Sequence, residues 1–569
     1  MPAQPTKTCE HQSNLLERLS ALRIPSPAVV TALMVACVFL LRMPAILYAH
    51  ELGEDESQMF SQGMRFLVDP VPWRGVDGTT SGPLNSYLVS LVLLLGIKPG
   101  FVMGHVLAAV LICLQLVVAH RTLLRLGSQR TAAWGMVPMV LFFCITGIND
   151  YLHYSSELLP SLLLSLGFYC FVVWMEDRPG RGASFQTFLV LLSGLLWGTA
   201  PWAKLQAGPI SGVLGIVFLA TVLTGVIHPL GISRRVVQSL TFCAGALLPG
   251  AVILAIVLHA GVYRDFWNSY ILENLAFAGA EPWTQTLTDC VQALFSVGMG
   301  PIFLINVLAA GFLVHARRTN PAPKLPLRQR WANGALLLFL GTALFTAVRP
   351  ATFFLHYLQF MVYPMICLTA GLMSRATPIF RNFRQGNRRM PVAVNTAFGA
   401  ILAYCLVNSV LYVTFSGFAI LDLFRPQSDP NDKIAAVVKK LGTTRPVQNM
   451  MVWGWAAGVY VASGIPPATR DSITQRAIEK GPMQAYYRQR LLGDLRGNMP
   501  DLFVDAIGPG TFKWFWKENY GYESNPELKE YIDRNYDLVD ILALRPGKVP
   551  VRFFARRGAA SQQQAALKP

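Results

Sequence analysis

The sequence predicts a polytopic α-helical membrane protein of about eleven transmembrane helices with a small C-terminal α/β domain outside the membrane. Three observations predict it. Over 569 residues the chain is 53% hydrophobic and only 14% charged, with a mean hydropathy of +0.41, whereas soluble domains carry about a quarter charged residues. Apolar runs of about 20 residues, the length that crosses a bilayer, recur as far as Phe415. Beyond it, residues 416–569 hold 21 Lys/Arg and 15 Asp/Glu and no such run.

The expected spans are 28–48, 101–119, 131–148, 157–175, 187–203, 208–227, 237–259, 291–314, 332–348, 355–374 and 392–415. A further apolar run, Pro83 to Ile97, has only 15 residues, and loop charge decides its place. If it lies along the interface, the segments on the N-terminal side (1–27, HRTLLRLGSQR, EDRPGRG, HPLGISRR, HARRTNPAPKLPLRQR and SRATPIFRNFRQGNRR) carry twenty Lys/Arg and four Asp/Glu. The opposite loops carry six cations against twelve acids. If the run crossed, the basic loops would face out, against the positive-inside rule. The N-terminus is therefore expected in the cytoplasm and the C-terminus outside. The net charge of +17 is accounted for largely by these loops, which removes the nucleic-acid reading it would otherwise invite.

Residues 1–27 read as a cytoplasmic segment rather than a cleavable signal peptide, because the first apolar run starts late and is too long for a signal h-region. Nine cysteines are scattered, seven of them inside apolar runs, with no CxxC. They suggest neither a disulfide framework nor a zinc site. Residues 28–415 form the expected membrane domain, with a large first outer loop at 49–100. In 416–555, DKIAAVVKKLG reads as helix, NMMVW as strand, QAYYRQRLLGDL as amphipathic helix and DLFVDAI as strand. With YDLVDILAL and VRFFAR they make a small α/β domain. The tail 556–569 has a disordered composition. No internal repeat is evident, which weakens an inverted-repeat transporter reading.

Function is read from the polar residues at the outer mouths. ELGEDESQMF places Glu51, Glu54, Asp55 and Glu56 just beyond the first span. Apolar residues then recur at helical spacing, predicting a juxtamembrane amphipathic helix over Ser57–Val68. Asp55 can serve as its N-cap, with Gln58 completing a capping box, or as a catalytic carboxylate. NDYLHYSSELLP, between the third and fourth spans, offers Glu157 and Asp150, which complement a helix dipole or face a shared cavity. Outward cations are scarce. Lys204 ends the fifth span, Arg349 and His356 flank the loop before the tenth, Arg264 opens a later loop, and Arg42 lies near the outer end of the first span. Singly they read as snorkelling anchors; converging, they would bind a phosphate. A carboxylate and cations at an outer membrane surface suit glycosyl transfer from a lipid-linked phosphosugar. The carboxylate takes the acceptor's proton, and the cations stabilise the departing lipid phosphate.

On these residues the chain resembles the GT-C superfamily of polyprenyl-phosphate-sugar glycosyltransferases, specifically protein O-mannosyltransferases and bacterial lipid A aminoarabinose transferases. The resemblance covers residues 28 to 415. It implies that Asp55-Glu56 matches the family's Asp-Glu pair, with Asp55 as general base of an inverting transfer. Gly82-Pro83-Leu84 matches the interfacial segment, Glu157 the acidic residue of the second outer loop (Asp150 being a weaker match), and Lys204 the lysine after the fifth span. Arg349, His356 and Tyr357 match the Arg and His-Tyr before the tenth span. Catalytic Asp55, Glu56 and Glu157 are thus expected, with Arg42, Lys204, Arg264, Arg349, His356 and Tyr357 binding substrate. MMVWGWAAGVYVASGIPPATRD resembles the tail of bacterial members rather than a β-trefoil insert, implying a multi-pass bacterial inner-membrane protein. The expected partners are a polyprenyl-phosphate sugar, a glycan, lipid or protein acceptor, and membrane lipid. With neither HExxH nor a His/Cys cluster in the sequence, no metal or other cofactor is expected.

Two rival classes remain open at this point. A flippase of lipid-linked sugars would need opposed gates and polar residues at mid-membrane. An envelope assembly protein would work through its C-terminal domain, with Asp55 a mere cap. One outward cavity holding Asp55, Glu157, Lys204 and Arg349 favours the enzyme; dispersal favours the rivals.

Overall fold

The computed structural model of the chain describes residues 24–558, leaving out 177–181, 280–282, 297–298, 301, 305, 308–309, 312–324, 351–352, 386–399, 509–510, 547 and most of 401–428. The chain enters its first helix at Ser26, whose hydroxyl accepts from the Val29 N–H, and Pro27 supplies a first residue that needs no donor. The expected span 28–48 is two helices, α1 (Pro27–Leu41) and α2 (Met43–Leu47), joined at Arg42. Pro44 has no N–H to continue the ladder from α1.

The juxtamembrane helix, α3, spans Glu54–Phe66, three residues earlier than the sequence pattern suggests. Gly53 is its N-cap, in extended conformation, so Asp55 is not the cap. Gln58, the expected capping-box partner, instead donates to Thr79 Oγ1 at 2.9 Å. The short apolar run folds as α4 (Pro83–Leu94), 12 residues long. At 1.5 Å per residue it reaches about 18 Å, short of the ~30 Å hydrocarbon core.

Further membrane-domain helices include α5 (Phe101–Leu126), α6 (Gln129–Ile145), α7 (Leu158–Trp174), α8 (Ala183–Ala203), α9 (Ala207–Thr224), α10 (Ile232–His259), α11 (Leu327–Val348) and α12 (Gln359–Gln385). Among the described residues, six segments are long and apolar enough to cross a membrane: α5, α8, α9, α10, α11 and Leu355–Leu372, which runs into α12. Helices α1, α4, α6 and α7 are apolar but shorter. Run 392–415 lies largely, and run 291–314 partly, outside the described residues, so the number eleven comes from the sequence alone. Helix α8 is sandwiched between α7 and α10. At Gly198 a Cβ would stand 2.0 Å from the Ala246 carbonyl oxygen, so only glycine allows this approach of α8 to α10. Phe171, Trp174, Trp197, Phe218 and Phe242 interlock behind it, and the Trp197 indole donates to the Leu164 carbonyl at 3.1 Å.

The C-terminal domain is built from α13 (Pro430–Thr444), β1 (Met450–Trp453), α14 (Gln484–Asn498), β2 (Leu502–Asp505), α15 (Pro526–Asn535), β3 (Tyr536–Leu542) and β4 (Val551–Arg556). The sheet order is β1-β2-β4-β3; β1 and β2 are parallel, the other pairs antiparallel. Strands β1 and β2 are buried on both faces. Met450 and Val452 join one core with Ile434 and Val438 of α13, while Met451 and Trp453 join another with Leu491 and Leu495 of α14. This is the alternation a two-sided strand requires. The tail 559–569 lies outside the described residues.

Buried ion pairs clamp this domain to the loops above the bundle. Arg490 donates to Asp77 Oδ2 at 2.7 Å and to Asp471 Oδ1 at 2.6 Å. Arg470 pairs with Asp494 at 2.7 Å and reaches Asp265 Oδ2 at 3.1 Å and the Trp73 carbonyl at 2.8 Å. Burial alone would raise the Asp77 carboxyl, but Arg490 and Arg476 outweigh it and hold its pKa at about 2.

Candidate active site

The site is assembled where α3 begins. Three acids, Glu54, Asp55 and Glu56, fill the first turn and favour its positive end. Successive helical residues point about 100° apart, so neighbours in sequence meet different surroundings. Glu56 is fully buried, accepts from the Leu52 N–H at 2.7 Å and lies 3.2 Å from His105 Nε2 on α5. Asp55 stays open, with 39% of its side chain exposed, and its Oδ2 lies 3.6 Å from His356 Nε2.

His356 stands on a 3-10 turn, Leu355–Leu358, leading into α12. Its Nδ1 lies 2.8 Å from Asp150 Oδ1, on the short turn Asn149–Tyr151, and its Nε2 lies 3.9 Å from Glu157 Oε1. The His356 ring stacks on Phe354, the centroids 5.4 Å apart. Burial pushes the Asp150 carboxyl up, yet His356 outweighs it and holds the carboxyl below its ordinary pKa.

Glu157 is the N-terminal flanking residue of α7, and Lys204 the C-terminal flanking residue of α8. Both are buried, and they form an ion pair. Lys204 Nζ also donates to Ser156 Oγ at 2.7 Å and sits 5.2 Å from the centroid of the Tyr357 ring. The Lys204 segment is held by the entry to α4. Ser81 bridges Lys204, the Gly82 N–H donates to the Ala203 carbonyl at 2.8 Å, and Asn85 Nδ2 donates to the Ser156 and Ala203 carbonyls. A Cβ on Gly82 would stand 1.9 Å from the Trp202 carbonyl oxygen, so glycine is required there.

Four separated segments thus bring Asp55, Asp150, Glu157, Lys204, His356 and Tyr357 together. The other expected residues are engaged elsewhere. Arg42 is buried beneath the second outer loop, donating to the carbonyls of Tyr151 at 2.6 Å, Leu152 at 3.2 Å and Phe143 at 3.4 Å. It therefore holds the turn that carries Asp150. Arg264 lies 6.0 Å from the Tyr486 ring centroid, and exposed Arg349 donates to the Ala278 carbonyl at 2.5 Å. Ser156 and His105 escaped the sequence reading. Ser156 sits in the quoted SSELLP, but a serine gives no charge signal, and His105 is embedded in an apolar run. A group with metal-ligand potential was equally invisible: His50, Asp429 and Asp432 bring donor atoms within 4.8 Å of one another, with the Asp432 carboxylate 2.6 Å from the His50 ring.

Chemically, three carboxylates face one ammonium and one imidazole at a single mouth of the bundle. The arrangement offers an accessible proton acceptor beside fixed positive charge. At the opposite end, Arg125 and Arg328 meet Glu176, at 2.8 and 3.6 Å.

No protein-family model and no curated protein matches the sequence. Solved structures do match the fold. ArnT from Cupriavidus metallidurans bound to undecaprenyl phosphate superposes with a TM-score of 0.56 at 10% identity, covering 94% of this chain and 99% of that one. The same protein in the apo state gives 0.57 at 11%, covering 92% and 97%. At such identities the likeness is one of architecture, and it extends over the outer domain as well as the membrane helices: this chain has the GT-C fold.

Proposed function

We propose that the protein is an integral-membrane glycosyltransferase that moves a sugar from a polyprenyl-phosphate donor to an acceptor hydroxyl on the outer face of the membrane. Asp55 takes the proton of the acceptor hydroxyl as its oxygen attacks the anomeric carbon. Attack comes from the face opposite the phosphate, so the sugar inverts. The C–O bond to the polyprenyl phosphate breaks, and the lipid phosphate leaves as an anion that needs no proton. Lys204, held in place by Glu157 and Ser156, and His356, held by Asp150, supply the positive field for that anion. Tyr357 walls the Lys204 amine.

The observation that carries this reading is the meeting of Asp55, Lys204 and His356 from distant parts of the chain, with Asp55 the open carboxylate beside His356. The shared architecture with a protein solved bound to undecaprenyl phosphate supports a polyprenyl-phosphate donor. Of the four residues that separate an enzyme from its rivals, Asp55, Glu157 and Lys204 converge and Arg349 lies on the Ala278 carbonyl. The test is transfer by purified protein from a panel of polyprenyl-phosphate sugars. Release of lipid phosphate coupled to glycoside formation is expected with at least one donor, and no turnover with any would refute the proposal.

A further inference from the structure

A cavity of about 360 Å³ opens between the start of α3 and the C-terminal domain. Its walls include the carboxylates Glu51, Glu54 and Asp429 and the rings of Tyr48, Trp455 and Phe512, and among the described residues no Lys, Arg or His lines it. Gly53 and Glu54 of its wall immediately precede Asp55, so the cavity adjoins the helix turn that carries the proposed base. None of the mechanism above uses these groups.

The rings are only partly spent on packing. Trp455 meets Trp514 at 6.1 Å between centroids and has the Lys513 amine 5.4 Å from its own, whereas Phe512, edge-on to Trp455 at 5.1 Å, is 43% exposed and offers a ring face to a ligand. The Trp455 indole N–H is shielded from water yet has no hydrogen-bond partner among the described residues. Burial pushes the Glu54 carboxyl upward and Asp55 repels it as well, while Glu51 and Asp429 stand in the same wall. Such groups disfavour a further negative charge and are relieved by hydroxyl or amine donors. Aromatic faces with carboxylates at their edges suit a sugar ring, whose C–H face stacks while its hydroxyls donate.

We propose that this cavity is the acceptor subsite and takes a hydroxyl-rich glycan carrying no anionic group, presenting one hydroxyl to Asp55. The inference rests on the transferase reading and adds the class of acceptor. It excludes acceptors that must place a phosphate or carboxylate in this cavity, because three acids line it and the nearby Lys513 amine, over the Trp455 ring, is already paired with Glu479.

The test is calorimetric binding to the full-length purified protein of maltohexaose, mannohexaose, a chitosan hexamer and hexagalacturonate. At least one of the first three binds, and hexagalacturonate does not. Trp455→Ala and Phe512→Ala each weaken binding roughly tenfold, Trp455→Phe retains most of it, and melting temperatures show that the variants fold. Preference for hexagalacturonate, no binding by any non-anionic hexamer, or unchanged binding in both alanine variants overturns the inference and leaves the transferase reading standing. Hexamer binding through Trp455 and Phe512 in a protein that turns over no lipid donor refutes the transferase reading instead.

Discussion

Replacing Asp55 by Asn separates a base from a helix-stabilising acid. Gly53 is the N-cap of α3, so the variant removes no capping bond. It loses one negative charge from a first turn that keeps Glu54 and Glu56, an effect worth ~0.3–1 kcal/mol, and the 3.6 Å approach to His356. Stability should therefore fall by about 1 kcal/mol at most. Turnover should fall roughly 10²–10⁴-fold, the usual worth of a positioned base, which is about 3–5 kcal/mol of barrier at ~1.4 kcal/mol per decade. The two losses differ enough to be told apart. Initial rates of transfer at saturating donor, with thermal unfolding of the same preparation, measure both. Glu56→Gln is the control. Its carboxylate is buried against the Leu52 N–H and His105, so it should cost stability more than chemistry. Glu157→Gln should fall between, since it leaves the buried Lys204 ammonium without a counter-charge. Near-normal turnover by a folded Asp55→Asn protein would refute the catalytic assignment.

Lys204→Met leaves buried Glu157 without its ammonium partner and with only the more distant His356, 3.9 Å away, so the variant should lose ~3–5 kcal/mol of stability. Lys204→Arg, which keeps the charge, should fold but lose donor affinity, read as a raised KM; an unchanged KM would remove Lys204 from donor binding. Arg490→Met strands Asp77 and Asp471 and should release the C-terminal domain to limited proteolysis; equal protection in parent and variant would argue against the clamp. Because the Asp77 pKa is depressed to about 2, its contribution is full above the ordinary carboxylate pKa of ~4 and is lost as pH falls through about 2. Unfolding of the parent from pH 6 downward should show that loss, and it should be absent in Asp77→Asn. Cysteine labelling should find Ser128→Cys accessible from the cytoplasmic side and Ser428→Cys from the outer side; the reverse for either would overturn the orientation read from loop charge.

Hydropathy and loop charge are sums over local sequence, and for that reason the apolar helices, the shortness of Pro83–Leu94 and the secondary structure of the outer domain are legible without coordinates. The strands Met450–Trp453, Leu502–Asp505 and Val551–Arg556 are apolar runs bounded by turns, and their order in the sheet is not written in them. The candidate residues Asp55, Glu157, Lys204, His356 and Tyr357 stand out in the sequence because charge is rare at the ends of apolar runs and because their order resembles a known pattern. Their proximity does not stand out. Lys204 meets Ser156 across 48 residues, His356 meets Asp150 across 206, and Arg490 meets Asp77 across 413. Such pairings are set by which helix packs beside which, and no local periodicity encodes that. Tertiary structure also divides Asp55 from Glu56. The two adjacent acids read alike, but a 100° turn of α3 points one to the open mouth and the other into the bundle against His105. Arg42 shows the same limit: its place among the outer cations makes it an expected substrate ligand, but three backbone carbonyls, brought to it by the fold, take its donors.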